Sequence, residues 1–147
     1  EEKFNKLLKN NKEYDEKAYD FVYDALDYAL KNRRKIKVKN QSVSAEELSQ
    51  GFRLHAIDQF GCLTKTVLNE WGIKTTRDIG NVVFNLVEYN LIGMEPFDTK
   101  EQFNKLYDFK EVFDLKPIIS YFPKEDQWII SYIPKNRSLK ENPDKYK

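Results

Sequence analysis

Residues Gln59 to Gly93 read QFGCLTKTVLNEWGIKTTRDIGNVVFNLVEYNLIG, and this stretch decides the fold. Its second half predicts a helix, because apolar residues recur at steps of three and four along one face: Ile79, Val82, Val83, Leu86 and Val87. Thr75 and Asp78 have the spacing of a capping box at the start of this helix. Asn90 tolerates the left-handed conformation that commonly ends helices. We therefore expect a central helix over Thr76–Tyr89.

Three more helices are predicted before this one. A shorter helix, Cys62–Trp71, leads into it through a tight corner. The sequence Ser44-Ala-Glu-Glu is a capping signal for a helix over Ala45–Phe60. A wide apolar stripe predicts a long helix over Asp15–Asn32. Gly80 costs helix stability inside the central helix, which indicates the close approach of another helix at that point.

The C-terminal part of the chain contains an internal echo. Ile118-Ile-Ser-Tyr-Phe-Pro-Lys124 is followed, eleven residues later, by Ile129-Ile-Ser-Tyr-Ile-Pro-Lys135. Both copies are rich in β-forming residues and end with proline, so we expect a hairpin joined by a polar link at Lys124–Gln127. The alternation of lysine with isoleucine and valine predicts a short strand at Lys35–Lys39 as well.

These patterns predict a mainly α protein: a compact bundle of about four to six helices with a small β element, formed by Lys35–Lys39 and the C-terminal hairpin. A winged-helix-like arrangement at the centre is an alternative, since three helices there follow helix-turn-helix order. We expect an N-terminal arm over 1–13, a helical domain over 14–115, a hairpin extension over 116–134 and a polar tail over 135–147.

Composition and charge exclude several classes of protein. The 147 residues include 25 basic and 24 acidic side chains, so the overall charge does not indicate a nucleic-acid or membrane partner. A single cysteine excludes an intramolecular disulfide framework. No apolar run approaches the roughly 18 residues that a membrane span requires. The expectation is a cytoplasmic protein without a membrane partner.

The sequence contains none of the motifs tested for catalysis or cofactor binding. It has no Gly-rich dinucleotide motif, no phosphate-binding P-loop and no Gly-x-Ser-x-Gly elbow. One histidine and one cysteine cannot form a zinc site within one chain. On one continuous helix His55 and Cys62 would lie about 10 Å apart, too far for a catalytic pair. We therefore predict no catalytic, cofactor-binding or metal-binding residues and favour a non-enzymatic protein.

The run Lys31–Lys39 is the one concentrated basic segment of the sequence. The preferred interpretation is an edge strand protected by lysine against self-pairing, because the run contains no aromatic residue to stack on bases. The alternative is phosphate contact, with these candidate nucleic-acid-binding residues: Arg33, Arg34, Lys35, Lys37 and Lys39. A recognition helix at the centre is disfavoured, because its expected outward positions carry one base and two acids: Arg77, Asp78, Asn81, Asn85, Glu88 and Tyr89.

An acidic row follows one face of the helix over Asp15–Asn32, at Glu16, Asp20, Asp24 and Asp27. It is either a solvated helix face or a docking face for a basic partner.

Four blocks in a fixed order are similar to a conserved family of unknown function associated with planctomycetes and verrucomicrobia. The blocks are the helix at Phe21–Leu30, the cap at Ser44, the segment from Gln59-Phe-Gly to Trp71-Gly72, and Asn85-Leu-Val-Glu followed by Leu91. The resemblance covers about Tyr14 to Asp114 and implies no activity.

The function expected from the sequence is that of a small protein-interaction module. The nine tyrosines and ten phenylalanines supply contact area of the kind that interfaces use, and Ile118–Ile133 offers a possible open strand edge. Another protein, or a second copy of the chain, is the expected partner. Nucleic-acid binding through Lys31–Lys39 is the alternative.

Overall fold

A computed structural model describes residues 2–33, 43–92 and 99–135, with the side chains of residues 32 and 33 left out. Six α-helices are present in these ranges: α1 (Glu2–Asn10), α2 (Glu16–Arg33), α3 (Ala45–Phe60), α4 (Thr64–Glu70), α5 (Thr76–Glu88) and the one-turn α6 (Phe109–Val112). Short 3-10 helices occupy Gly61–Leu63 and Lys100–Phe103, and strands β1 (Leu115–Phe122) and β2 (Gln127–Pro134) end the described chain. The predicted mainly α fold with a C-terminal hairpin is confirmed.

Local capping fixes both ends of α5, as predicted. The Thr75 side chain accepts a hydrogen bond from the Asp78 amide, and the Asp78 carboxylate accepts one from the Thr75 amide, which completes the capping box. At the other end Asn90 adopts φ 54°, and the Leu91 amide returns to the Leu86 carbonyl at 2.9 Å. The boundaries of the central helix are therefore set by residues adjacent to it in sequence.

The predicted helix over Cys62–Trp71 begins later than expected, because a 3-10 turn precedes it. Gly61 has φ 52°, a left-handed conformation that ends α3. The Thr64 hydroxyl then donates to the Gly61 carbonyl at 2.6 Å and lies 3.2 Å from the Ala56 carbonyl. These contacts hold a corner between α3 and α4 where the sequence pattern alone predicts a simple helix start.

The core lies between α2, α3 and α5. Phe21 of α2 meets the ring of Phe52 at 5.3 Å and that of Phe60 at 5.4 Å, and it lies 5.5 Å from Trp71. Trp71 itself is half-buried, so it closes the edge of this aromatic cluster and does not fill its centre. The predicted apolar face of α5 is buried at Ile79, Val82, Val83 and Leu86.

The polar face of α5 is covered by tyrosine side chains. The Tyr14 hydroxyl donates to the Asp78 carboxylate at 2.6 Å, and the side-chain amide of Asn81 donates to the same hydroxyl at 3.0 Å. The side-chain amide of Asn85 donates to the Tyr19 hydroxyl at 3.1 Å. The sequence-based placement of these three α5 residues on an outward face is therefore wrong, because hydroxyl groups from distant residues satisfy them inside the fold.

Burial raises the pKa of both tyrosines. Burial, followed by the hydrogen bond to Asp78, raises the pKa of Tyr14 well above its ordinary value. Burial also raises the pKa of Tyr19, although the Asn85 hydrogen bond acts in the opposite direction. Both shifts favour the neutral hydroxyl form of these side chains.

The N-terminal helix α1 contributes to the core. Leu7 is completely buried, and the Phe4 ring makes an edge contact with Tyr19 at 6.0 Å. Asn10 donates a hydrogen bond to the Tyr89 hydroxyl at 3.1 Å, which places α1 against the end of α5. The predicted N-terminal arm is thus a helix packed on the central helix.

Gly80 provides room for an aromatic ring. A Cβ atom at this position would lie 2.7 Å from ring atoms of Phe103, which is fully buried. The Thr76 hydroxyl donates to the Phe103 carbonyl at 2.5 Å and fixes the same 3-10 segment. The close neighbour of Gly80 is therefore this side chain, whereas the sequence analysis expected a second helix.

The two strands form an antiparallel hairpin in which Ile119 pairs with Ile130 and Tyr121 with Trp128. The connecting turn is Pro123–Asp126, one residue earlier than predicted, because Gln127 already pairs within the ladder. The Asp126 amide approaches the Pro123 carbonyl at 3.4 Å across this turn. The expected hairpin is confirmed, with strand bounds of 115–122 and 127–134.

Two prolines occupy hairpin positions that do not donate hydrogen bonds to the partner strand. The Lys135 amide donates to the Asp114 carbonyl at 2.8 Å, and hydrogen-bonded pairs alternate along an antiparallel ladder. Pro117 and Pro134 therefore fall at positions whose backbone nitrogens point away from the partner strand. Proline lacks an amide hydrogen, so it removes no bond from the ladder there.

Two further expectations concern the centre and the basic run. Every residue from Thr76 to Val87 is buried or half-buried, so most of α5 is covered by other parts of the fold, and the winged-helix-like centre stays a prediction. The predicted strand at Lys35–Lys39 lies outside the described residues, as does most of the predicted tail over 135–147.

Replacing Tyr14 with Phe should lower the free energy of unfolding by about 1–3 kcal/mol, because Asp78 and Asn81 lose a buried partner. Chemical denaturation measures this change. Tyr23→Phe on α2 is the control, since Tyr23 is 55% exposed and should change stability by less than about 0.5 kcal/mol. Equal midpoints for the two variants would contradict the role assigned to Tyr14.

Replacing Gly80 with Ala should destabilise the fold by about 1–2 kcal/mol, although alanine favours helices, because the new methyl group overlaps the Phe103 ring. The same substitution in a Phe103→Leu background should cost less, since the smaller side chain leaves space. A double-mutant cycle from thermal unfolding measures the coupling. Additive effects would show that the ring does not restrict this position.

Candidate functional site

The hairpin is buried at its base and exposed towards its turn. Leu115, Ile133 and Pro134 are buried, and the ring of Tyr132 lies against Gly61, where a Cβ atom would come within 2.7 Å of it. From Ile119 to Ile130 every residue of the hairpin is exposed. The outer half of the hairpin therefore projects from the helical body.

Four apolar side chains share one face of this outer half, because directly paired residues of antiparallel strands lie on the same side of the sheet. We term them the hairpin platform: Ile119 (62% exposed), Tyr121 (43%), Trp128 (69%) and Ile130 (55%). The opposite face carries Phe122 and Ile129, which are less exposed than most of the platform. Singly exposed apolar residues are common on proteins, whereas a contiguous exposed apolar group is a candidate contact site.

The aromatic end of the platform is held in place by the turn. The Tyr121 and Trp128 rings lie 4.8 Å apart and are tilted by 42°. The Tyr121 hydroxyl donates to the Asp126 carboxylate at 2.7 Å, and this bond raises the pKa of Tyr121. Asp126 has φ 48°, the left-handed conformation that closes the turn. These contacts define the shape of the aromatic end of the platform.

A groove runs beside the hairpin, with a volume of about 430 Å³. One wall is Ile129–Tyr132, and the other is formed by Tyr28, Leu54, Ile57 and Asp58 of α2 and α3. Successive side chains of a strand point to opposite faces of the sheet. Four consecutive residues can therefore line one groove only if the groove runs along the edge of their strand. The groove therefore exposes the edge of β2 along the body of the protein.

A second depression, of about 440 Å³, lies at the base of the hairpin and is lined by charged residues: Asp108, Lys110, Glu111, Asp114 and Lys135. Two of its carboxylates have structural partners. Asp108 accepts a hydrogen bond from the Lys110 amide at 2.9 Å, and Asp114 lies 3.3 Å from the Lys135 ammonium group. Among residues 2–33, 43–92 and 99–135, no three His, Cys, Asp or Glu side chains are grouped to hold a metal ion.

The single histidine and the single cysteine have different neighbours. The His55 ring stacks on Phe21 at 4.8 Å and lies 5.5 Å from Tyr28, so it belongs to the aromatic part of the α2–α3 interface. Cys62 is exposed, with its sulfur 3.7 Å from the Leu115 carbonyl. These contacts give His55 a packing role and place Cys62 beside the hairpin base.

The side chains of the basic residues predicted to bind nucleic acid all lie outside the described part of the structure, so the site stays a prediction. Arg33 ends α2 and its side chain is among those left out, while Arg34, Lys35, Lys37 and Lys39 lie outside the described residues. Lys31, at the start of the run, forms an ion pair with Asp27 at 2.9 Å.

The acidic row on α2 faces solvent. Glu16, Asp20, Asp24 and Asp27 are all exposed. Partial burial, with the neighbouring charges of Glu16 and Asp24, raises the pKa of Asp20. This arrangement is that of a solvated helix face whose charges repel one another.

Sequence reasoning located the hairpin but not the platform. The Ile118–Ile133 region was expected to offer an open edge, yet the four platform residues were not singled out. The available signal was the absence of charged residues from 117–123 and 127–134. Which residues share a face depends on the register, which is set by the turn at Pro123–Asp126.

Within the described ranges, no helix combines the length and the apolar character needed to cross a bilayer. No protein-family model matches the chain, and neither the curated proteins nor the solved structures include a significant match to it. The resemblance to a planctomycete and verrucomicrobial family stays a prediction.

Replacing Asp20 with Asn should raise the melting temperature at pH 7 by about 1 °C, a small effect because the side chain is exposed. The raised pKa means that the folded protein holds its proton more tightly than the unfolded chain. The ionised carboxylate therefore opposes folding increasingly as pH rises through this range.

Thermal unfolding between pH 3 and 7 measures this effect, and the gain of the Asp20→Asn variant should disappear at the acidic end. Asp27→Asn is the control, since it breaks the ion pair with Lys31 and should not raise the melting temperature. A gain that persisted at pH 3 would contradict an electrostatic origin.

Proposed function

We propose that this protein is a non-enzymatic protein-interaction module that contacts its partner through the hairpin platform. The observation that carries the proposal is the platform itself, four exposed apolar side chains on one face of a projecting hairpin. Interface cores are enriched in aromatic residues and depleted of charge, and both properties hold for this group.

The central pair of rings supports the proposal energetically. Binding free energy at protein interfaces is concentrated in a few residues, among which tryptophan and tyrosine are common. Trp128 and Tyr121 are adjacent, and the bond from Tyr121 to Asp126 limits the freedom of one of them. Side chains that are ordered before binding lose less entropy when the complex forms.

The groove beside β2 gives the surface a second element. An extended segment of a partner could add to the exposed strand edge by main-chain hydrogen bonding. The apolar lining from Leu54 and Ile57 would cover its side chains. In this proposal the platform supplies the main contact area, and the groove extends it towards the helical body.

The proposed contact can be tested by placing a photo-reactive benzophenone amino acid at position 128 and irradiating the cells that naturally make the protein. We expect an adduct that protease digests and nuclease does not, because the partner is a protein. Position 23 is the matched control, since Tyr23 is also an exposed aromatic residue but lies on α2.

Absence of adducts at position 128, or equal adduct yields at positions 23 and 128, would refute the hairpin as the contact surface. A nuclease-sensitive adduct would favour the alternative of nucleic-acid binding, which the sequence assigned to Lys31–Lys39.

A further inference from the structure

We propose that the partner inserts an extended, basic polypeptide segment into the groove beside β2, where the segment adds to the hairpin as a third strand. This inference rests on the proposed function and names the part of the partner that enters the groove. The backbone of β2 defines the extended conformation of the segment, and the charges of the groove define its basic character.

The outward backbone groups of β2 determine the class of ligand. The bond from the Lys135 amide to the Asp114 carbonyl makes these two residues a hydrogen-bonded pair, and such pairs alternate along the ladder. Trp128, Ile130 and Tyr132 therefore fall at the other positions, where amides and carbonyls point away from β1. Within the described part of the chain, no other residue forms a hydrogen bond with these outward groups.

A row of this kind is complementary to an extended polypeptide. Its residues are two positions apart, so the donor and acceptor sites repeat at intervals of about 6.6 Å along the edge. An extended chain presents its own amides and carbonyls at the same interval, whereas a helix uses these groups in its internal hydrogen bonds. The edge of β2 therefore requires a partner segment in the strand conformation.

The β2 edge is better suited to this pairing than the β1 edge. On β1 the corresponding outward positions are Pro117, Ile119 and Tyr121. Proline has no amide hydrogen, so the β1 edge offers one donor fewer over the same length. The β2 edge also faces a wall, because Leu54 and Ile57 of α3 line the other side of the groove. A strand added to β2 would bury apolar side chains against this wall as well as pair with the edge.

The charges of the groove favour a basic segment. Residues 127–134 carry no charge, and among the described residues that line the groove Asp58 alone is charged. Asp24 lies one helical turn before Tyr28, on the same face of α2. Both carboxylates are exposed, and neither forms an ion pair with a described residue. A lysine or arginine of the added strand would meet this negative charge, whereas β2 of a second copy carries no such residue.

Selection of peptides on the full chain, from a random heptapeptide phage library, tests the inference. We expect the selected peptides to alternate apolar with other residues, as a strand does, and to include lysine or arginine. A synthetic, fluorescent copy of the most frequent selected peptide is then the probe, and fluorescence anisotropy measures its dissociation constant.

Ile130→Pro should raise the dissociation constant of this peptide at least about tenfold, because it removes an outward amide and leaves the β1–β2 ladder intact. Ile119→Pro is the matched control, since Ile119 pairs directly with Ile130 on the same face but belongs to the other edge. The control should change the dissociation constant by less than about twofold. Circular dichroism verifies that both variants retain the fold.

A second pair of variants tests the charge of the segment. Asp58→Asn should weaken peptide binding about twofold to fivefold at low salt, and less at high salt. Asp20→Asn is the control, since Asp20 is an exposed acid that does not line the groove.

Equal weakening by Ile119→Pro and Ile130→Pro, selected peptides without basic residues, or no selected peptide would overturn the inference. A dimer that Ile130→Pro dissociates would overturn it in favour of a second copy. Cross-links from position 128 to a protein, together with any of these results, would leave the proposed function intact. Peptide binding that Ile130→Pro abolishes, without adducts at position 128, would instead refute the platform and support the groove.

Discussion

The helical body depends on the hydrogen bonds that the Asp78 carboxylate accepts. One oxygen accepts the amides of Lys74 and Thr75 at 2.9 and 3.1 Å and so starts α5. The other accepts a hydrogen bond from the hydroxyl of Tyr14, which lies two residues before α2. A single side chain therefore caps the central helix and ties the N-terminal part of the chain to it. Because a hydrogen bond to a charged group is stronger than one between neutral groups, this link also fixes the position of α2 relative to α5.

Other parts of the helical body pack around α5 and cover both its polar and its apolar side. Its apolar side meets α2 and the buried ring of Phe103, and its polar side meets the tyrosines before and within α2. A helix enclosed in this way leaves little of its own surface for a partner. The surfaces left for contact are on the periphery, and the hairpin is the largest exposed apolar part of the described chain.

Local signals in the sequence predicted the helices well, because capping boxes and apolar periodicity act over three or four residues. The caps at Ser44 and Thr75 and the left-handed Asn90 are examples. The partners of Asn81 and Asn85 were missed because they lie 67 and 66 residues away, and an asparagine that bonds a distant tyrosine looks solvated in a helical pattern. Gly80 correctly indicated a close neighbour, but the sequence did not show that this neighbour is the Phe103 ring. The platform was missed for a related reason: side-chain facing changes with a register shift of one residue.

Pro117 and Pro134, near the base of the hairpin, limit the addition of further strands to its two edges. Each strand edge lacks an outward-pointing amide donor at its proline. A polypeptide that added to an edge would therefore meet consecutive backbone donors only between that proline and the turn. Fibril growth requires uninterrupted main-chain pairing from one molecule to the next. A hydrophobic hairpin of this kind would ordinarily be an aggregation hazard, and the two prolines shorten the part of each strand edge that such pairing could use.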